Sequence, residues 1–125
     1  MPITVGYWKI RGLMSNISYQ LAYCGIDDYT LNEYELHKKE GDDAGYDGSE
    51  WFGVKQSFGF DFPNIPYLID GDYKMTETLA IHKYLADKYK PNLLGANPEQ
   101  RGQVSMLEGI ISAYKSAITN PCYPF

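Results

Sequence analysis

Apolar residues alternate with small or polar ones over Ile3, Val5 and Tyr7, which predicts a strand with those three on one face. Lys9-Ile10-Arg11-Gly12-Leu13 breaks the alternation and reads as a loop. Ile17, Leu21 and Cys24 recur at helical spacing, a face that Ser15 or a neighbour caps and Gly25 ends. Tyr29 to Leu36 alternates loosely and predicts a second strand. His37 to Gly48 is dense in Lys, Glu, Asp and Gly and reads as a solvated loop, and Ser49 opens a short helical or irregular segment that runs to Phe60. Tyr67-Leu68-Ile69 predicts a buried strand, Asp70-Gly71-Asp72 a tight turn, and Tyr73-Lys74-Met75 an antiparallel return. Thr76 sits where a helix cap belongs, and Leu79, Ala80, Lys83 and Tyr84 begin the face behind it. The order is β-α-β-α-β-β-α, an α/β fold whose first two strands are parallel neighbours.

Beyond this unit, Lys90 to Pro98 has linker character, with two prolines and a glycine, and Asn97-Pro98 is a strong helix start. Val104, Leu107, Ile111, Tyr114 and Ile118 then form one apolar stripe at helical period. In Phe62-Pro63-Asn64-Ile65-Pro66 each proline fixes its own φ and extends the residue before it. Ile65 thus offers an extended backbone to a peptide-like ligand, and the N–H groups near Glu77 and Thr78 can hold an anion at the helix start. An ordinary hairpin and helix in a small core is the plainer alternative for the same segment.

Composition narrows the function more than the fold. The formal charge of −5 leaves no electrostatic footprint for nucleic acid or an anionic membrane. Cys24 and Cys122 have no CxxC or metal-type spacing, which fits a reducing compartment, and no apolar run approaches membrane length. With no leader-like N-terminus either, the expectation is a cytoplasmic protein.

Four separated pieces carry a family resemblance. Gly6-Tyr7-Trp8-Lys9-Ile10-Arg11-Gly12-Leu13 looks like the N-terminal signature of the glutathione S-transferases. Tyr46-Asp47-Gly48-Ser49-Glu50-Trp51, Gly59 to Gly71 and Met75 to Ile81 resemble mu-class segments in order and spacing. The resemblance spans residues 2–90 and continues more weakly through 98–118. It implies a thioredoxin-like glutathione-binding domain at residues 1–88, a linker at 89–97, and the start of an all-helical domain at 98–125. It further implies a homodimer, glutathione as co-substrate with no other cofactor or metal, and a hydrophobic electrophile attacked by the glutathione thiolate, as in detoxification.

Residue roles follow from the same resemblance. The family's matching tyrosine, here Tyr7, donates a hydrogen bond to the glutathione sulfur and so favours thiolate over thiol. Lowering a thiol pKa from ~8.5 by about two units takes roughly 2.7 kcal/mol, much for one neutral donor, so dipoles or amides nearby must help. Trp8 and Leu13 line the pocket near the sulfur. Trp51 and Lys55 hold the glycine carboxylate, although Lys55 equally suits a solvated surface lysine. Asn64 and Ile65 meet the cysteinyl portion, Ile65 through its backbone, which requires a cis bond to Pro66. Glu77 and Thr78 take the γ-glutamyl end, with Glu77 standing where the mu class has glutamine. Phe62 matches the aromatic key that enters a neighbouring subunit at the dimer interface.

Departures from the pattern are Gly48, where mu members often carry a basic residue, Ser105, where the family places an acidic one, and the early end of the helical domain. The chain therefore reads as a shortened relative, a truncated gene product or a fragment. The leading function is a glutathione transferase with Tyr7 as thiol activator. The alternative is a non-catalytic glutathione-binding or dimerisation module. A thioredoxin-type redox protein is disfavoured because Arg11 to Ser15 contains no cysteine.

Overall fold

The computed structural model describes residues 2–41 and 45–122. The chain divides into two units, residues 1–85 and 86–125. The first begins with β1 (Ile3–Trp8), α1 (Gly12–Tyr23), β2 (Tyr29–Tyr34), β3 (His37–Lys38), β4 (Tyr46–Asp47) and α2 (Ser49–Phe52). A 3-10 turn at Lys55–Phe58, β5 (Tyr67–Asp70), β6 (Tyr73–Thr76) and α3 (Thr78–Tyr89) follow, the last running on into the second unit.

The main sheet has the order β2-β1-β5-β6. β1 and β2 are parallel, as two strands joined through a helix should be, with Ile3 opposite Tyr29 and Trp8 opposite Tyr34. β5 runs antiparallel to β1, and β6 returns along β5 with Asp70 opposite Tyr73. Gly71 turns that hairpin at φ 62°, a conformation glycine adopts without steric cost. Ile3, Val5 and Tyr7 are buried together as their alternation predicts.

α1 ends in a Schellman motif: the Gly25 N–H bonds the Ala22 carbonyl at 3.0 Å and the Ile26 N–H bonds the Leu21 carbonyl at 2.9 Å. Its start differs from the sequence expectation. The helix begins at Gly12, and Ser15 lies inside its first turn, bonding the Arg11 carbonyl through both its amide and its hydroxyl. Its buried residues are Met14, Ile17 and Leu21, while Cys24 is the partly exposed C-cap.

Two further expectations are corrected. The stretch from His37 is not wholly loop, because β3 and β4 pair antiparallel there, with His37 opposite Asp47. Both strands are two residues long and mostly exposed, so no alternation marks them. Thr76 closes β6 rather than capping α3, since its hydroxyl donates to the Phe62 carbonyl at 2.8 Å. Glu77 supplies the first helical carbonyl instead, accepting from the Ile81 N–H at 2.9 Å. The helix consequently buries Ile81, Leu85 and Ala86 and leaves Leu79 and Ala80 exposed.

In the second unit Asn97 caps α4 (Pro98–Thr119), its side chain accepting from the Gln100 N–H at 2.9 Å with Pro98 in the first turn. The stripe of Val104, Leu107, Ile111, Tyr114 and Ile118 is exposed, as are Met106 and Ile110.

The core of the first unit centres on Tyr67, which has no exposed surface. A Cβ at Gly6, its partner across β1 and β5, would stand 2.1 Å from the Tyr67 ring. Gly6→Ala is therefore expected to lower stability by about 1–3 kcal/mol. A urea midpoint equal to that of the parent chain would show that the ring can step aside.

Candidate functional site

Strand register gathers the candidate residues at one end of the sheet. Tyr7 and Trp8 finish β1 at its carboxyl end, where ligands of α/β sheets collect. Because β5 is antiparallel, its first residue Tyr67 pairs with Gly6, so Asn64, Ile65 and Pro66 arrive at that same end. β6 finishes with Thr76 opposite Tyr67, which brings Glu77 and Thr78 there too. Trp51 joins them through its ring, stacked on Tyr67 at 5.8 Å and tilted against Tyr34, the last residue of β2, at 5.3 Å.

Tyr7 is 7% exposed. A Cβ at Gly12 would stand 2.8 Å from the Tyr7 oxygen, so the hydroxyl lies against the first turn of α1. Gly12 holds φ 33°, where a side chain is strained as well as crowded. Leu13, half-buried, follows in the same turn. The Tyr7 oxygen thus sits beside the positive end of a helix dipole, the kind of supporting field that a thiolate would need.

Trp8 meets Phe52 edge-on at 5.9 Å, and a Cβ at Gly48 would lie 2.9 Å from the Trp8 ring and 2.8 Å from that of Phe52. Position 48 is therefore closed to any side chain while both rings stay. Trp51 is 2% exposed, with Phe58 also at 6.0 Å. Lys55 is half-exposed with its ammonium 5.5 Å from the centre of the Phe52 ring.

The Ile65–Pro66 peptide is cis, as the resemblance requires, and both residues are buried. Asn64 turns inward on its own chain, its Oδ1 accepting the Ile65 N–H at 2.9 Å. Glu77 is exposed at φ 76°, a left-handed conformation that a glutamate adopts at a cost of about 1 kcal/mol or more. Strain of that kind turns the chain between β6 and α3, leaving Thr78 as the first helical residue.

Below the site, the Tyr67 hydroxyl accepts from Asn32 Nδ2 at 2.9 Å and lies 2.9 Å from the Tyr34 hydroxyl. Burial, with the Tyr67 oxygen beside it, pushes the Tyr34 phenol above its ordinary range. Glu35, His37 and Glu50 form the one group of carboxylate and imidazole donors among the described residues that lies within 4.8 Å. These groups already engage one another and Lys9, which makes them an ion-pair network. Phe62 borders this end of the sheet, its side chain turned to solvent. It is 78% exposed and lines a cleft of about 270 Å³ with Phe60, Tyr73, Met75 and Glu77.

The family described as "Glutathione S-transferase, N-terminal domain" matches residues 3–87. The chain belongs to the glutathione S-transferase family. It is 41% identical over 123 residues to the class-mu 26 kDa isozyme 51 of Fasciola hepatica, covering 98% of this chain and 51% of that one. With glutathione S-transferase Mu 1 of Oryctolagus cuniculus it is 42% identical over 124 residues, 98% of this chain and 53% of that one. The solved glutathione S-transferase Blo t 8 superposes with a TM-score of 0.73 at 30% identity, over 93% of this chain and 49% of that chain. The chain thus spans about half the length of the curated relatives it matches, and its first unit is the thioredoxin-like domain of the family.

In sequence Gly6 and Gly12 stand in the N-terminal motif with no role of their own, and Gly48 reads only as a departure. Each proves to be a close approach to an aromatic ring of the site or its support. Gly12→Ala is expected to cost about 1 kcal/mol from its φ alone. Adding Tyr7→Phe removes the 2.8 Å oxygen contact while the 2.9 Å contact to ring Cε1 stays, so the double variant should lose somewhat less than the sum of the two single changes. Strict additivity in urea melts would place the Tyr7 hydroxyl away from the helix start.

Proposed function

We propose that this chain binds glutathione and, as a mu-like glutathione transferase, conjugates its thiolate to hydrophobic electrophiles. The observation that carries the proposal is the convergence of Tyr7, Trp8, Leu13, Trp51, Ile65 and Thr78 at one sheet end. Tyr7 donates its hydroxyl to the thiolate, helped by the first-turn dipole of α1. Trp51 and Lys55 hold the glycine carboxylate. Asn64 and the Ile65 backbone pair with the cysteinyl unit in the manner of an added strand, the Asn64 side chain releasing the Ile65 N–H as the ligand enters. Thr78 receives the γ-glutamyl carboxylate at the start of α3, and Glu77 its ammonium group. In this reading residues 1–88 are the glutathione domain, 89–97 the linker and 98–125 the beginning of the helical domain, in a cytoplasmic enzyme. Among the described residues no helix is long and apolar enough to cross a membrane.

A non-catalytic binding or dimerisation module is the second reading. Exposed Phe62 and the uncovered stripe of α4 favour it, since both are apolar surfaces of the kind that associate.

Titrating the purified chain with glutathione, followed by the fluorescence of Trp8 and Trp51 with a conjugation assay alongside, separates these readings. Saturable binding with turnover is the expected result. Binding without turnover selects the second reading, and no binding refutes the glutathione site under either reading, leaving only a dimerisation module. Tyr7→Phe is expected to leave affinity nearly unchanged and to raise the bound thiol's pKa by about one unit or more, read as thiolate absorbance against pH. Sedimentation should show an associated species that Phe62→Ala weakens. A monomer at every concentration would remove the interface.

A further inference from the structure

α2 is four residues long, and its N-cap Gly48 has no side chain, so its local side-chain cap is Asp47, whose Oδ1 accepts the Ser49 N–H at 2.8 Å. One turn of helix does not hold its own shape in water. Its third residue is Trp51, on which the proposed glycine-carboxylate contact depends; the Tyr34, Phe58 and Tyr67 rings seat its indole, and the backbone of the turn needs a tie of its own.

The residue before Trp51 supplies the fastening. Glu50 Oε2 accepts the backbone N–H of Glu35 at 2.6 Å, and Glu50 Oε1 lies 2.9 Å from His37 Nε2. Glu35 is tied in turn to Lys9 Nζ at 2.5 Å, just past the end of β1. One carboxylate therefore joins α2 to the segment leaving β2, and through Glu35 to the strand that carries Tyr7. We propose that Glu50 is a positioning residue for the glutathione site, holding Trp51 in place through its bonds to the Glu35 amide and the His37 ring. This inference rests on the glutathione reading above and adds to it a form of regulation by pH.

The charges around the His37 ring come from three segments. Glu50 faces it from α2, Asp47 from β4 opposite in register and Glu35 from just past β2, while Lys9 pairs with Glu35 from beyond β1. Glu33 acts on Lys9, and Lys39 on Asp47. The surroundings are net acidic and favour imidazolium. The hydrogen bond to Glu50 holds the His37 ring above its ordinary pKa. The Glu35 amide, then His37, holds the Glu50 carboxyl below the usual carboxylate range. A raised histidine value means the tie is complete below His37's ordinary pKa of about 6.5 and weakens as pH rises through the raised one. A lowered glutamate value means it persists down to the ordinary carboxylate range before failing in acid. The grip on α2 is strongest between these limits and relaxes toward alkaline pH.

S-Methylglutathione tests this, because it has no thiol to titrate. Its dissociation constant for the wild-type chain, in chelator-containing buffer, is expected to rise roughly two- to fivefold from pH 5.5 to pH 8, the scale of one exposed charge pair. His37→Asn should flatten that profile. Glu50→Gln keeps an acceptor for the Glu35 amide but no charge, and should bind with the flat, weaker constant. Glu50→Ala should bind more weakly still. A wild-type profile already flat, or Glu50→Ala binding like wild type, overturns the proposal. Should the wild-type chain bind at no pH, the glutathione reading itself fails. The Trp51 indole resonance then decides the tie alone: a pH shift present in wild type and absent from His37→Asn upholds it, and the same shift in both overturns it.

Discussion

The burial of a whole tyrosine ring between β1 and α2 is the constraint from which the first unit is built. Tyr67 reaches its position only because residue 6 has no side chain, and it then meets Tyr34, Trp51, Phe58 and Phe60 within 6.4 Å between ring centres. Fully buried phenols need a partner for the hydroxyl, and Asn32 and Tyr34 on β2 provide it. One residue thus fixes the spacing of β1 and β5, orders the edge strand β2 and seats the indole of Trp51. The candidate site inherits its geometry from this cluster. Trp51 belongs to the cluster and to the site alike, and the other candidate groups stand on the cluster's rim.

Local chemistry explains which elements were legible in the sequence. Gly25 ends α1 and Asn97-Pro98 starts α4 because caps act over three or four residues, and the Asp70–Tyr73 hairpin announces itself through Gly71. What went astray depended on distant partners. Thr76 would cap a helix if its hydroxyl were free, but the Phe62 carbonyl lies 14 residues away and captures it. The β3–β4 pair has two residues per strand, too few for any period to show.

The site divides along the same line. Tyr7, Trp51, Ile65 and Thr78 stood out in their motifs, yet nothing in composition or spacing says that they share one sheet end. That follows from register, with Gly6 opposite Tyr67 and Tyr67 opposite Thr76. The Glu50 carboxylate was invisible for the same reason, its partners Glu35 and His37 lying 15 and 13 residues away in a stretch that reads as solvent-facing charge. Exposed charges of alternating sign usually mean solubility, and here they also tether a single turn of helix.

Gly48 has a bearing on how this lineage could change. Its backbone, at φ −107° and ψ 23°, suits an ordinary residue, so only the Trp8 and Phe52 rings keep position 48 bare. Any side chain there must displace one of the two rings. Phe52 is 61% exposed and the freer of the two, whereas displacing Trp8 would disturb the wall of the proposed pocket. A larger residue at position 48 is therefore accommodated on the Phe52 side.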